Sequence, residues 1–289
     1  MPTPEPGLHQ GVRDEEYFSW EALNNSTIKR VVEKSVLHAH YELSHPSTPT
    51  DPQMEGRAFH AMLLQPEIFK AEFAEMPVNE KGVKYRRDTK KGAEAWDKYE
   101  EEHPNAWPLK KVMVLKHEAM RESIMRNPTA RTLIENASMM EACAVWEHPE
   151  YGFPCKAKFD IYGTFEGYGT ITDVKTTVDA SDAAWTRAVD NFGYVTQAPW
   201  YLDGLNELSE AERRFLFIAV EKTPPYAVQV HELNSLAMFE GRYRIRKVCA
   251  KWDKALRTKS FPSYQGGVNL HGLAAWALTH EREEEVDIS

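Results

Sequence analysis

Residues 156–177, KAKFDIYGTFEGYGTITDVKTT, constrain this chain more than any other stretch. They read as two strands joined by a glycine-containing hairpin, the first carrying Asp160 and the second Asp173-Val174-Lys175. Strand side chains alternate between faces, so Asp173 and Lys175 point to one side and Val174 to the other. By the same rule Lys156, Lys158 and Asp160 share a face of the first strand. Pairing the strands brings two carboxylates and an ammonium to one spot on a sheet. Carboxylate oxygens suit a hard cation such as Mg²⁺, and a lysine beside them can position a water. That set has the chemistry of phosphodiester cleavage. An Asp-x-Lys triplet alone is more often a solvated face with a surface ion pair. The preceding Asp160 and the apolar flanks Phe159, Ile161 and Ile171 weigh toward the site.

At 289 residues the chain suits one large domain or two small ones. A hydrophobic content of 42% with eight Trp allows a full core. Mean hydropathy is −0.57, and no run of about 18 apolar residues suggests a membrane-spanning helix. The opening MPTPEPGLHQGVRDEEYF lacks the apolar region of a secretory signal. Cys143, Cys155 and Cys249 are scattered, with no C-x-x-C spacing. This pattern predicts free thiols in a reducing cytosol and no zinc or iron–sulfur site. The net charge of −9 argues against a protein that coats nucleic acid non-specifically. One basic segment stands out: Lys81, Lys84, Arg86, Arg87, Lys90 and Lys91, with Tyr85 among them. It suits contact with a phosphate backbone and stacking on a base, or equally a solvated loop.

The expected organisation is a flexible N-terminus (1–16), a single folded domain (17–280) and an acidic tail (281–289). Helices are expected from Ser26 as N-cap, over EGRAFHAMLL up to Pro66, over 88–102, and over 114–137 with a break at Asn127-Pro128. Strands are expected at 139–148, 155–164 and 168–176. Helices at 181–191 and 195–208 follow, then strands at 213–221 and 226–232 and a helix at 234–257. Beyond it, LHGLAAWAL reads as amphipathic. The predicted class is mixed α/β, a small sheet flanked by helices behind a helical N-terminal part.

Four more residues are candidates. His60 lies mid-helix, where most histidines are structural. Glu141 lies on the strand that leads to the hairpin, where it can join the carboxylates or face solvent. Gln197 and Tyr201, four apart in TQAPWYLDG, share a helix face and suit a phosphate or a water. Pro199 between them must sit in a first turn or kink the helix.

In this order, GRAFHAMLL, a Glu before the hairpin, KFDIYG, TDVKTT and Q-x-x-x-Y, the chain resembles the PD-(D/E)XK nucleases. Among these it is most similar to the phage-type RecE-like (exonuclease VIII) alkaline exonucleases. The likeness extends over roughly 17–280 and includes YFSWEALNNSTIK. It implies a restriction-endonuclease-like core in which Asp160 and Asp173 bind Mg²⁺, with Mn²⁺ as a substitute. Lys175 would activate the attacking water, and His60 and the Val174 carbonyl would be further metal contacts. Gln197 and Tyr201 would complete the motif, and Glu141 is a possible member. The resemblance further implies 5′→3′ digestion of linear double-stranded DNA from its ends, leaving 3′ single strands for recombination by annealing. It implies a ring-shaped trimer or tetramer, a RecT- or Bet-like single-strand annealing partner, and a bacterial cytosolic protein of phage or prophage origin. Within the same superfamily, a RecB-like or CRISPR-type nuclease is the alternative, though the latter carries a four-cysteine cluster. No G-x-x-x-x-G-K-[ST] motor motif is present. A non-catalytic module that binds DNA ends is the alternative from another class.

Overall fold

The computed structural model describes residues 2–45, 48–264 and 266–273. The expected acidic tail and most of LHGLAAWAL lie outside the described residues. The chain opens with β1 (Gly7–His9) and α1 (Asp14–Ser19). There follow α2 (Asn25–Glu33), α3 (Val36–Ser44), α4 (Asp51–Leu64), α5 (Pro66–Glu72), β2 (Phe73–Glu75), α6 (Lys90–Glu102), β3 (Trp107–Leu109), α7 (Lys111–Arg126) and α8 (Pro128–Glu135). The second half holds β4 (Ala137–Glu147), β5 (Pro154–Phe165), β6 (Tyr168–Thr177), α9 (Asp182–Asn191), α10 (Tyr194–Leu208), β7 (Arg213–Glu221), β8 (Val228–Glu232) and α11 (Ser235–Thr258).

Six strands form one sheet in the order β1-β4-β5-β6-β7-β8. All neighbours are antiparallel except β6 and β7, which run parallel. A parallel pair needs a crossover, and α9 and α10 supply it. Alternation along β7 assigns the two faces. Phe215, Phe217 and Ala219 pack with Trp185 of α9, Ala198 and Leu205 of α10, and Val248 and Trp252 of α11. Leu216, Ile218 and Val220 pack with Phe59 and Leu63 of α4, Met120 and Ile124 of α7, and Leu133 of α8. The mixed α/β class with helices on both faces is therefore as expected, down to the break between α7 and α8 at Asn127.

Near Asp160 the alternation slips on two strands at the same level. On β5, Ala157 and Phe159 join the α10 side, yet Ile161 joins the α4 side. On β4, Ala142 and Ala144 join the α10 side, while Met140 packs on the α4 side. The odd residues out are Asp160 and Glu141. Glu141 has φ +50°, in the left-handed region that costs a side-chain-bearing residue free energy. The slip works like a pair of facing bulges, which re-aim side chains without losing register.

Several expectations change. The stretch expected to be loose, 1–16, supplies β1, which pairs with Cys143, Ala144 and Val145 of β4. Behind it Tyr17 and Trp20 pack on Cys143 and Val145. The N-cap of α2 is Asn24, whose side chain accepts from the Thr27 N–H, not Ser26. α2 ends at Glu33, and Val36 begins a separate helix, α3. The short strands β2 and β3, with only three residues each, offered no readable period. They pair in parallel, and their Phe73 and Leu109 pack on Met54, Ala58 and Ala61 of α4.

Candidate active site

Pro199 stands inside α10, and the helix continues through it. Proline has no N–H for the Val195 carbonyl four residues back. That carbonyl lies against Gly241 of α11, where an added Cβ would come within 1.9 Å of it. A glycine on the facing helix thus lets α10 and α11 approach closely at the proline. On the other side of α10, Gln197 and Tyr201 share a face that lines the same recess as Asp173.

Facing them, β5 and β6 part company. Their ladder runs from Phe165–Tyr168 to Ile161–Thr172 and stops there, one step short of Asp160 and Asp173. In place of a ladder bond, the Val174 N–H donates to Asp160 Oδ2 at 2.6 Å. The two carboxylates therefore stand at the fork of the strands. From the α4 side His60 enters, its Nδ1 3.3 Å from Asp160 Oδ1 and 3.9 Å from Glu141 Oε1. From the α10 side Gln197 Nε2 donates to Asp173 Oδ1 at 2.5 Å. Lys175 Nζ lies 2.6 Å from Asp173 Oδ2 and 5.0 Å from the centre of the Tyr194 ring. His60, Glu141, Asp160, Asp173, Lys175, Gln197 and Tyr201 all line one recess of about 600 Å³. The sheet provides the carboxylates and the lysine, and one helix from each layer closes on them.

The charges are strongly interdependent. Burial works against a protonated His60, but Asp160 and then Glu141 outweigh it and lift its pKa to about 9. Burial likewise opposes ionisation of Asp160, and the His60 contact overrides this to hold its carboxyl below the ordinary range. Burial raises Asp173 above its usual value even with Lys175 beside it. Burial and the Asp160 charge raise Glu141. Lys175 stays protonated, because Asp173 more than offsets its desolvation. Three carboxylates, Asp160, Glu141 and Asp173, thus share the recess with three cationic partners, His60, Lys158 and Lys175.

A divalent cation fits this donor set. Ligand atoms of His60, Glu141 and Asp160 lie within 4.8 Å of one another. Asp173 Oδ2 is buried and accepts no hydrogen bond of good angle, despite its close approach to Lys175. Carboxylate oxygens with one imidazole suit Mg²⁺ and, better, Mn²⁺.

Two residues of the site were not picked out in the sequence as active-site members. Lys158 Nζ reaches Glu141 Oε2 at 3.2 Å and Asp14 Oδ1 of α1 at 2.5 Å. Its position one alternation before Asp160 was the available signal. Tyr194, under Lys175, had none. Lys156, on the same face of β5 as Lys158, is buried beneath the end of α1 and donates to the carbonyls of Tyr17 and Trp20 at 2.7 and 2.8 Å. The basic segment does not line the recess. Lys81, Lys84, Arg86, Arg87, Lys90 and Lys91 lie between β2 and the start of α6. There Arg87 stacks on Trp96 at 4.3 Å and pairs with Glu100, while Arg86 pairs with Asp88. The three cysteines are buried free thiols. Among the described residues, no helix is long and apolar enough to cross a membrane.

The same fold occurs in the crystal structure of a protein named "putative exonuclease" from Eubacterium rectale. It superposes with a TM-score of 0.60 at 12% identity, over 93% of this chain and 98% of that one. The structure of SSO0001 overlaps with a TM-score of only 0.26 at 15% identity, over 66% of this chain and 86% of the other. No curated protein matches the sequence. The model of the PDDEXK-like domain of unknown function DUF3799 matches residues 25–272. That span takes in every residue of the recess from His60 to Tyr201, and the chain belongs to this PDDEXK-like family.

Proposed function

We propose that this protein is a divalent-metal-dependent nuclease that digests linear double-stranded DNA from its ends. The observation that carries the reading is the meeting, in one recess, of the His60–Glu141–Asp160 cluster with the Asp173–Lys175 pair. The bound cation supplies polarisation of a phosphoryl oxygen and a lowered pKa for its water. His60, Asp160, Asp173 and the Val174 carbonyl would hold it, with Glu141 as a further ligand. Lys175, kept protonated by Asp173, stabilises the charge that develops on the phosphate in the transition state. Gln197 fixes the orientation of the Asp173 carboxylate, and Tyr201 backs that amide.

The end-directed part of the reading draws on the name of the Eubacterium rectale structure and on charge. With −9 per chain, an open outer surface repels a duplex. A closed trimer or tetramer would gather basic segments such as 81–91 around one DNA and leave the acidic surface in water. In this reading digestion runs 5′→3′ under Mg²⁺ or Mn²⁺ and leaves 3′ single strands. A RecT-like annealing protein in the bacterial cytosol would receive them, a task suited to a phage or prophage product. The test compares a linear duplex with its covalently closed circular form under Mg²⁺, Mn²⁺ and EDTA. Loss of the linear form alone, only with metal, is expected. Rapid cutting of closed circles by a purified monomer would overturn the end-directed reading.

A further inference from the structure

Two aromatic rings at the recess stay largely exposed although each touches one neighbouring ring, Phe18 that of Tyr17 and Phe192 that of Tyr194. Phe18 of α1 is 67% exposed and Phe192, which caps α9, is 55% exposed, yet both line the recess of Asp173 and Lys175. Phe192 is not a stray surface residue. Its N–H donates to the Ala188 carbonyl at 2.9 Å, and the next N–H, of Gly193, donates to Asp190 at 3.1 Å. Gly193 turns the chain with φ +71°, and the Lys29 side chain fills the space where a Cβ would stand, its Cδ 2.9 Å away. This elbow fixes Phe192 and Tyr194 with ring centres 5.8 Å apart. Tyr194 in turn underlies Lys175 at 5.0 Å, and Lys175 contacts Asp173 at 2.6 Å. A path of side chains thus leads from the carboxylates through Lys175 and Tyr194 to the exposed Phe192 ring. Lys29 also lines the recess between the two.

We propose that Phe192, with Phe18, is a stacking platform for nucleobases, and that the strand entering this site is bound unpaired. The proposal rests on the nuclease reading and names its substrate class. Asp173 is only 5% exposed, at the base of a recess of about 600 Å³. A base can stack on Phe192 beside a phosphate at Asp173 only once it has left the duplex stack, so the strand held here is unpaired. Unstacked bases then need new π-faces, and an aromatic platform supplies them with little dependence on sequence. Lys29 and Lys175 carry the positive charge on the phosphate side.

The test uses the full chain with EDTA present, so that cleavage is off. Fluorescence anisotropy measures the affinity for a labelled single-stranded oligothymidylate. Phe192→Ala is expected to weaken binding about tenfold, Phe18→Ala in the same direction, and Phe192→Trp to keep it near wild type. Both rings are exposed, so melting temperatures should stay within about a degree or two of wild type. With Mn²⁺ added, Phe192→Ala should lose more activity on blunt duplex than on a duplex with a frayed, unpaired end. Equal oligonucleotide affinity for wild type and Phe192→Ala would overturn the platform. If no variant cleaves DNA but the affinity difference holds, the nuclease reading fails and the platform stands.

Discussion

Glu141 stands directly opposite Asp160 on adjacent antiparallel strands, at the one position that the ladder skips between Met140–Ile161 and Ala142–Phe159. The slip places both carboxylates toward His60, and Glu141 adopts φ +50° to do so. Strained backbone opposes folding here, while each carboxylate is held beside a cationic side chain, His60, Lys158 or Lys175.

Glu141→Gly should therefore separate stability from metal binding. Glycine takes the left-handed conformation without penalty and removes one carboxylate. Metal-free melting should rise, by about 1 kcal/mol of stability, while Mn²⁺ affinity by calorimetry falls at least tenfold. A variant both less stable and unchanged in affinity would mean that Glu141 serves the fold alone.

His60 gives a pH signature. Its folded pKa of about 9 lies above its ordinary value near 6.5. Its contribution to metal-free stability is then complete below about pH 6.5 and is lost as pH rises toward 9. Thermal melting in EDTA should decline over that window, and His60→Gln should flatten the decline. Because a metal needs the neutral imidazole, Mn²⁺ affinity of the wild type should climb over the same range. A flat melting profile in EDTA would contradict the assignment.

Gly241→Ala tests how α10 is held. The new Cβ would sit 1.9 Å from the Val195 carbonyl, which is backbone and cannot swing aside. Overpacking of this kind costs about 1–3 kcal/mol, readable by urea denaturation. The displaced helix carries Gln197, so activity per folded molecule should also drop. Unchanged stability would show that α11 slides freely past α10.

Much of this architecture is legible in the sequence, for local reasons. The β5–β6 hairpin follows from period-two alternation and a glycine turn, and Asp173 and Lys175 share a face because β6 keeps that alternation throughout. Gln197 and Tyr201 meet the sheet because helical spacing survives Pro199, which needed Gly241 on another helix and so could not be read locally. The slip at Asp160 was invisible for the same reason: only packing against two different helical layers reveals that Phe159 and Ile161 face opposite ways. The N-terminal strand escaped notice because three residues, Gly7 to His9, carry no period and hold through backbone pairing with β4.

Lys175→Ala separates chemistry from binding. Lys175 touches Asp173 but is not among the groups that can ligate a metal, so Mn²⁺ affinity should persist while cleavage falls about 10²–10³-fold. Loss of Mn²⁺ binding in calorimetry would make the lysine structural.

The most direct test of the central claim is cleavage of an end-labelled linear duplex by wild type and Asp173→Ala at saturating Mn²⁺. Wild type should degrade the duplex, EDTA should stop it, and added Mn²⁺ should restore it. Asp173→Ala should be inactive while its melting temperature stays close to wild type. Metal-independent degradation by wild type, or Asp173→Ala activity within tenfold of it, would contradict the account.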